Sequence, residues 1–255
     1  VEREFFLNFA WVIFLFGLSV GSFLNVVIYR LPRGKSAIAG RSRCPACGRP
    51  LGWKDLIPLL SYLLLRGRCR YCRASISPRY PAVELLTAVL FTALFYRYGF
   101  SPALGKYLFL CSLLVAASFI DLEHYLIPDR LVFAGFLGGI PLGLLAGDVG
   151  IKSAFLGAAL AGGFFLLVVV ISKGGMGGGD VKLAGMTGLF LGWPLAAPFL
   201  LATIFFGGAA GILLLLLGVK KRKDLVPYGP FISAGALVAL FAGWEVIAWY
   251  GQFLL

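Results

Sequence analysis

One histidine, His124, is all that this 255-residue chain contains, and that scarcity removes several chemistries at once. A histidine-rich catalytic metal centre cannot be built, and an HExxH site is impossible. Ser22, in VGSFLN, has only the distant His124 to act as its base, so it reads as a helix-packing residue and not a nucleophile. No GxGxxG loop offers a nucleotide cradle. Acidic residues are also few, 11 against 23 Lys or Arg, for a net charge of +12. Charged residues make up 13% of the chain, too little polar surface for a soluble protein of this length.

What the chain has in excess is apolar length. Hydrophobic residues reach 60%, Phe alone occurs 23 times, and mean hydropathy is +0.93. Runs such as 5–29, 155–172 and 195–219 approach or exceed the ~20 residues needed to cross hydrocarbon as a helix. The first run is longer than a signal peptide's apolar region and lacks a basic segment before it, so it is expected to be a retained span. The expectation is an all-α polytopic membrane protein of about eight spans, near 5–28, 80–98, 102–121, 128–146, 152–172, 180–193, 195–218 and 230–251. The sixth, ~14 residues, is short for a span. It must be extended by neighbours, be re-entrant, or cross a thin region.

Charge then orients the spans. Residues 30–79 hold twelve Lys or Arg and one acid, Asp55, and KKRKD at 220–224 adds a second basic block. With both blocks inside, only Arg3, Arg97, Lys106 and Lys152 fall outside, and both termini face away from the cytoplasm. The basic segment reads first as a solvated loop near anionic lipid. Its aromatics, Trp53, Tyr62 and Tyr71, are not interleaved as a nucleic-acid stacking platform requires. Membrane lipid is an expected partner and nucleic acid is not.

Within 30–79 lie CPAC at 44–47 and CRYC at 69–72. Two CxxC pairs place four thiolates, Cys44, Cys47, Cys69 and Cys72, where they can surround one zinc ion. A segment of about 50 residues with little core-forming material gains folding energy from such a metal. The charge of a zinc tetrathiolate is offset by Arg68, Arg70 and Arg73. Cys111, inside the third span, reads as a small buried hydrophobe.

Carboxylates at span ends are the remaining signal. Asp121 closes the third span, within SFIDLEHYLIPDRL, and Asp180 opens the sixth, after the run GGMGGG at 174–179. Both reach the same membrane face, where two acids sharing one site can divide into an ionised and a protonated member. That state activates water and protonates a leaving group. Asp129 is the rival to Asp121, although a cap at the start of the fourth span would also explain it. Glu123 and His124 read equally as headgroup-facing residues, and Glu84 as part of a buried network or an interface. Glycines at this density cost helix stability, roughly 1 kcal/mol each relative to alanine. They suit either a flexible loop or a backbone that an extended peptide must approach closely.

These stretches together resemble the bacterial type IV prepilin peptidases, membrane aspartic proteases of the GxGD kind, along nearly the whole chain. GSFLNVVIYRLP at 21–32 is similar to their opening signature, the CxxC pairs to their cytoplasmic zinc-binding insert, and FIDLEHYLIPD at 119–129 to their first aspartate motif. GMGGGDVKL at 175–183 is similar to their GxGD motif and GPFISAGA at 229–236 to the entry of their final helix. The resemblance implies catalysis by Asp121 and Asp180. Gly177, Gly178, Gly179, Glu123 and Asp129 are then expected to position the substrate. It implies a first helix at 1–29, a cytoplasmic insert at 30–79 and a transmembrane peptidase domain at 80–255, in the bacterial inner membrane. It further implies prepilin or pseudopilin substrates cut after glycine at the cytoplasmic face, then N-methylation from S-adenosylmethionine, whose binding residues are unassigned. A proton- or cation-coupled transporter would also explain intramembrane aspartates but leaves the cysteine insert without a purpose. A noncatalytic assembly scaffold would tolerate loss of both.

Overall fold

The computed structural model describes residues 2–172, 175–219, 221 and 225–252, with side chains from residue 9 onward. Most of KKRKD, together with Lys173 and Gly174, lies outside the described residues, as does the Arg3 side chain. The described residues form helices and turns with no strand beyond two isolated bridges. The all-α expectation therefore holds. Six of the helices are long and apolar enough to cross a membrane.

The chain divides into two units, residues 1–100 and 101–255. In the first, α1 (Glu2–Arg30) packs along α3 (Arg79–Tyr98), with the short α2 (Leu60–Leu64) in the segment between them. Gly17 and Gly21 let the two long helices touch backbone to backbone. A Cβ on either would lie 2.6 Å from the Cα of Ala88 or Glu84. Small residues at such a seam substitute for the hydrophobic drive that lipid does not supply. Asn25 Nδ2 adds a 2.9 Å bond to the Tyr80 carbonyl.

The second unit holds α4 (Pro102–His124), α5 (Asp129–Ala146), α6 (Ile151–Ile171), α7 (Gly178–Leu216) and α8 (Gly229–Gly251). Local chemistry sets the ends. Ser101 caps α4 by accepting from the Leu104 amide, Pro102 follows it, and Tyr125 in the left-handed region stops the helix. Pro128 starts α5 and places Asp129 in its first turn, where the helix dipole favours an anion.

The 39-residue α7 is two helices. Gly192, at φ 75 and ψ 174, interrupts it. Partners show that the second arm doubles back: Leu195 meets Gly243 near the end of α8, whereas Gly207 meets Tyr228 just before its start. The short sixth span and the seventh are thus the two arms of a hairpin turned at one glycine, which a side chain would strain. α3 and the two arms of α7 lie where spans are expected, at 80–98, 180–193 and 195–218.

Lys106, in the first turns of α4, is a buried cation. It is 1% exposed. Its ammonium donates to both Asp148 oxygens at 2.7 Å and to the Phe190 carbonyl at 3.2 Å. The Tyr107 hydroxyl also donates to Asp148 at 2.7 Å. This knot ties the α5–α6 connection to the end of α7's first arm. A buried cation with three acceptor contacts is satisfied without water.

Gly157 of α6 abuts Gly188 and Gly192, and an added Cβ would lie 2.6 Å from the Gly192 carbonyl carbon. Gly157→Val is expected to destabilise the second unit by about 1–3 kcal/mol through overpacking. Gly163→Ala, whose Cβ meets nothing within 4 Å, should be near neutral. Thermal unfolding of the two variants in matched detergent checks the ranking.

Candidate active site

α4 ends where α7 begins, and that coincidence brings Asp121 and Asp180 together. Asp121 lies one turn before the end of α4 and Asp180 is the third residue of α7. They are 5% and 8% exposed and near enough for their charges to repel. Burying two acids together is costly unless a cation or a proton offsets it.

The acids differ in their partners. Asp121 Oδ2 accepts the Gly229 amide at 2.7 Å, a bond between residues 108 positions apart. Gly229 opens α8, and a Cβ there would sit 3.0 Å from that oxygen. Sequence reading connected 229–236 with a helix entry and missed this bond. Gly229-Pro230 was its signal, since proline suits the first turn of a helix whose leading amides are still unpaired. One turn deeper, the Ser118 hydroxyl donates to Ser233 at 2.7 Å. Ser233 in turn has the Gly229 carbonyl at 3.0 Å and the Leu114 carbonyl at 3.2 Å.

The glycines occupy different situations. Gly177 is the residue before α7, and a Cβ there would lie 3.5 Å from Asp180 Oδ2. Gly178 faces open space, and a Cβ on Gly179 would come within 3.1 Å of Ile127 Cβ. Gly179 thus lets the start of α7 press against the α4–α5 connection. Asp129 lies away from the buried pair, with its side chain 74% exposed and bonded to Lys182 Nζ at 2.7 Å. Glu123 is half-exposed and 4.0 Å from His124 Nε2. Glu84, in the first unit, is buried and accepts the Leu59 amide at 2.8 Å. That places it in a buried network.

The first unit carries the cysteine cluster. The sulfurs of Cys44, Cys47, Cys69 and Cys72 all lie within 4.8 Å of one another, a donor set that could hold a metal ion. Two turns of one design present them. Cys44 N–H bonds the Arg49 carbonyl at 3.0 Å and Cys69 N–H the Ala74 carbonyl at 2.8 Å, while Gly48 and Arg73 return their amides to Cys44 and Cys69. Amides of Cys72 and Tyr71 draw the Cys69 thiol down to about 7. Against the pull of the Ala74 amide, burial and the neighbouring sulfurs push Cys72 up to about 11. One thiolate thus opposes the next, and a cation among them removes the conflict. Arg70 donates to Asp55 at 2.6 Å and the Tyr71 hydroxyl does so at 3.1 Å, so Arg70 serves the outer brace of the turn. Despite partial burial, Arg70, the Gly52 amide and Tyr71 hold the Asp55 carboxyl below its usual range.

Comparison with known proteins follows the same two-part division. Residues 15–98 match the family described as Bacterial Peptidase A24 N-terminal domain, and residues 108–212, which include both aspartates, match the Type IV leader peptidase family. A Myxococcus xanthus protein named prepilin leader peptidase/N-methyltransferase is 45% identical over 215 residues, covering 82% of this chain and 64% of its own length. Proteins of the same name from Aeromonas hydrophila and Bacillus subtilis are each 37% identical. These alignments cover 94% of this chain and 92% and 96% of those proteins. No solved structure matches.

Gly48 and Arg73 hold equivalent places at φ 70 and φ 62, and only glycine adopts that region freely. Arg73→Gly is expected to stabilise the second turn by about 1 kcal/mol, and Gly48→Ala to weaken the first by a similar amount. Limited proteolysis of residues 40–75 under native conditions should slow in one variant and quicken in the other.

Proposed function

The chain belongs to the type IV leader peptidase family, and we propose that it cleaves prepilin or pseudopilin precursors through Asp121, Asp180 and one water molecule. The carrying observation is the pair of buried carboxylates at the end of α4 and the start of α7, inside the segment that matches the family. Such a pair activates water while protonating the scissile group. Cleavage falls after the leader's glycine at the cytoplasmic face of the inner membrane. Both termini then lie on the opposite side. Gly177, Gly178 and Gly179 line the approach to Asp180, and Glu123 and Asp129 supply acids toward a basic leader.

The relatives' name carries a second activity, N-methyltransferase, which in this reading acts on the new amino terminus. Its donor is S-adenosylmethionine, which supplies a methyl group to the amine. The four-cysteine cluster holds zinc in this reading. Tetrahedral zinc with ~2.3 Å bonds sets its sulfurs ~3.8 Å apart, and Cys44 and Cys72 are 3.9 Å apart. The ion would serve the fold of the insert, since none of these sulfurs belongs to the unit that carries the aspartates.

Incubating the purified protein with a glycine-phenylalanine prepilin substrate, with and without S-adenosylmethionine, tests both activities by mass spectrometry. Leader loss and, with the donor, a gain of one CH2 on the product are expected. Asp121→Asn and Asp180→Asn should each lose ~10²–10⁴-fold in cleavage, and the double variant little more. Asp129→Asn removes only an exposed pair worth roughly 0–1 kcal/mol and should be milder. Near-normal cleavage by either of the first two variants would remove that residue from the pair. Metal analysis should find about one zinc per chain, lost with Cys44→Ser/Cys47→Ser along with protease resistance at 40–75. A metal-free insert that stays resistant would defeat the zinc assignment.

A further inference from the structure

Hydrolysis by an aspartate pair demands different work from two chemically identical groups, and their surroundings differ. This inference rests on the peptidase reading of Asp121 and Asp180. Asp121 receives the Gly229 amide at 2.7 Å, and the Tyr228 amide also faces it. Both come from the start of α8, Tyr228 just before it and Gly229 at its first position. Asp180 is approached by one amide, that of Gly177, within its own turn. An amide N–H only donates, so it complements an ionised carboxylate better than a protonated one.

The serines one turn deeper fix that donor. Ser118 precedes Asp121 by three residues on α4, and Ser233 follows Gly229 by four on α8, so each lies on the same helix face as its neighbour. Their 2.7 Å bond, and the approach of Ser233 Oγ to the Gly229 carbonyl, pin the first turn of α8 to the last turns of α4. We infer that Asp121 is the ionised member that takes a proton from water, that Asp180 is the protonated member, and that Ser118 and Ser233 are positioning residues holding the Gly229 amide on Asp121.

The steps balance. Water oxygen bonds to the peptide carbonyl carbon as one water proton passes to Asp121, and the Asp180 proton passes to the carbonyl oxygen, giving a gem-diol. The proton on Asp121 then moves to the amide nitrogen, the carbon–nitrogen bond breaks, and a diol proton returns to Asp180 as the new carboxyl forms. Water has been added, and each aspartate regains its starting state.

Among the described residues, other charged groups come from α7, α5 and α4. α7 brings Asp180 and also Lys182, which is bonded to Asp129 at the start of α5. α5 also brings Arg130 in that same first turn. Tyr228 stands before α8, and on α4 itself Glu123 lies 4.0 Å from His124. None of these substitutes for the Gly229 amide.

Two substitutions separate the amide from the space beside it. Gly229→Ala and Gly229→Pro both add a Cβ, but only proline removes the N–H, and the first helical position tolerates proline. The acid limb of kcat/KM against pH is expected at higher pH in Gly229→Pro than in Gly229→Ala, by about one unit. Ser233→Ala should move the limb in the same direction, and Ser233→Thr, which keeps a hydroxyl, should restore it. Coincident limbs across these variants would overturn the inference, even with reduced rates. A second measurement covers the case in which the proline variant fails to fold. A prepilin peptide whose scissile bond is replaced by hydroxyethylene should bind Asp180→Asn within ~10-fold of the parent, because the amide donates as the protonated acid does. It should bind Asp121→Asn ~100-fold more weakly. The opposite ranking would also overturn the inference. Failure of the parent protein to cleave any prepilin substrate would instead remove the peptidase reading beneath it.

Discussion

A backbone amide donated to a buried carboxylate, Gly229 to Asp121, is the interaction on which the second unit turns. The residues stand 108 apart, so the bond forms only if α4, both arms of α7 and α8 arrive in one register. Gly192 reverses α7, the second arm returns along α8 through Gly235 and Gly243, and α8 therefore begins at the depth where α4 ends. Small residues recur at these seams because membrane helices gain their association from close backbone packing, not from escape from water. A slip of one turn, ~5.4 Å, would carry the amide out of reach.

The two ends of this unit answer the cost of burying charge in opposite ways. Away from the aspartate pair, Lys106 and Asp148 neutralise one another and the leftover valences go to Tyr107 and the Phe190 carbonyl. That end is finished, and it holds the tip of α7's first arm. At the other end, two buried acids meet. The stability cost falls where chemistry is proposed to occur and is offset by packing and pairing at the opposite end of the same helices.

Much of this was legible in the sequence because apolar length and charge placement are local signals. Helix positions followed from the apolar runs, and the family from GSFLN, the cysteine pairs, FIDLEHYLIPD and GMGGGD. The meeting of Asp121 with Asp180 followed from counting spans, whose parity sets the face each acid reaches. Tertiary partners were not legible. The sequence puts Lys106 on the side away from the cytoplasm but does not show its pairing with Asp148, 42 residues on. The weak span at 180–193 acquires its reason only from the hairpin at Gly192. Asp129 and Asp121 look equally able in sequence, and their surroundings separate them: one is exposed and paired, the other buried against α8.

That pairing of Asp129 bears on the site itself. Lys182 lies two residues beyond Asp180 and is the basic side chain nearest to it in sequence. Were Lys182 to reach Asp180, a persistent ion pair would hold that acid ionised, and under the proposed mechanism it would have no proton to give. On a helix, positions i and i+2 point to different faces, and Asp129 engages the ammonium on the outer one at 2.7 Å. The cation nearest in sequence is thereby kept from the buried pair, while the start of α7 is tied to the start of α5.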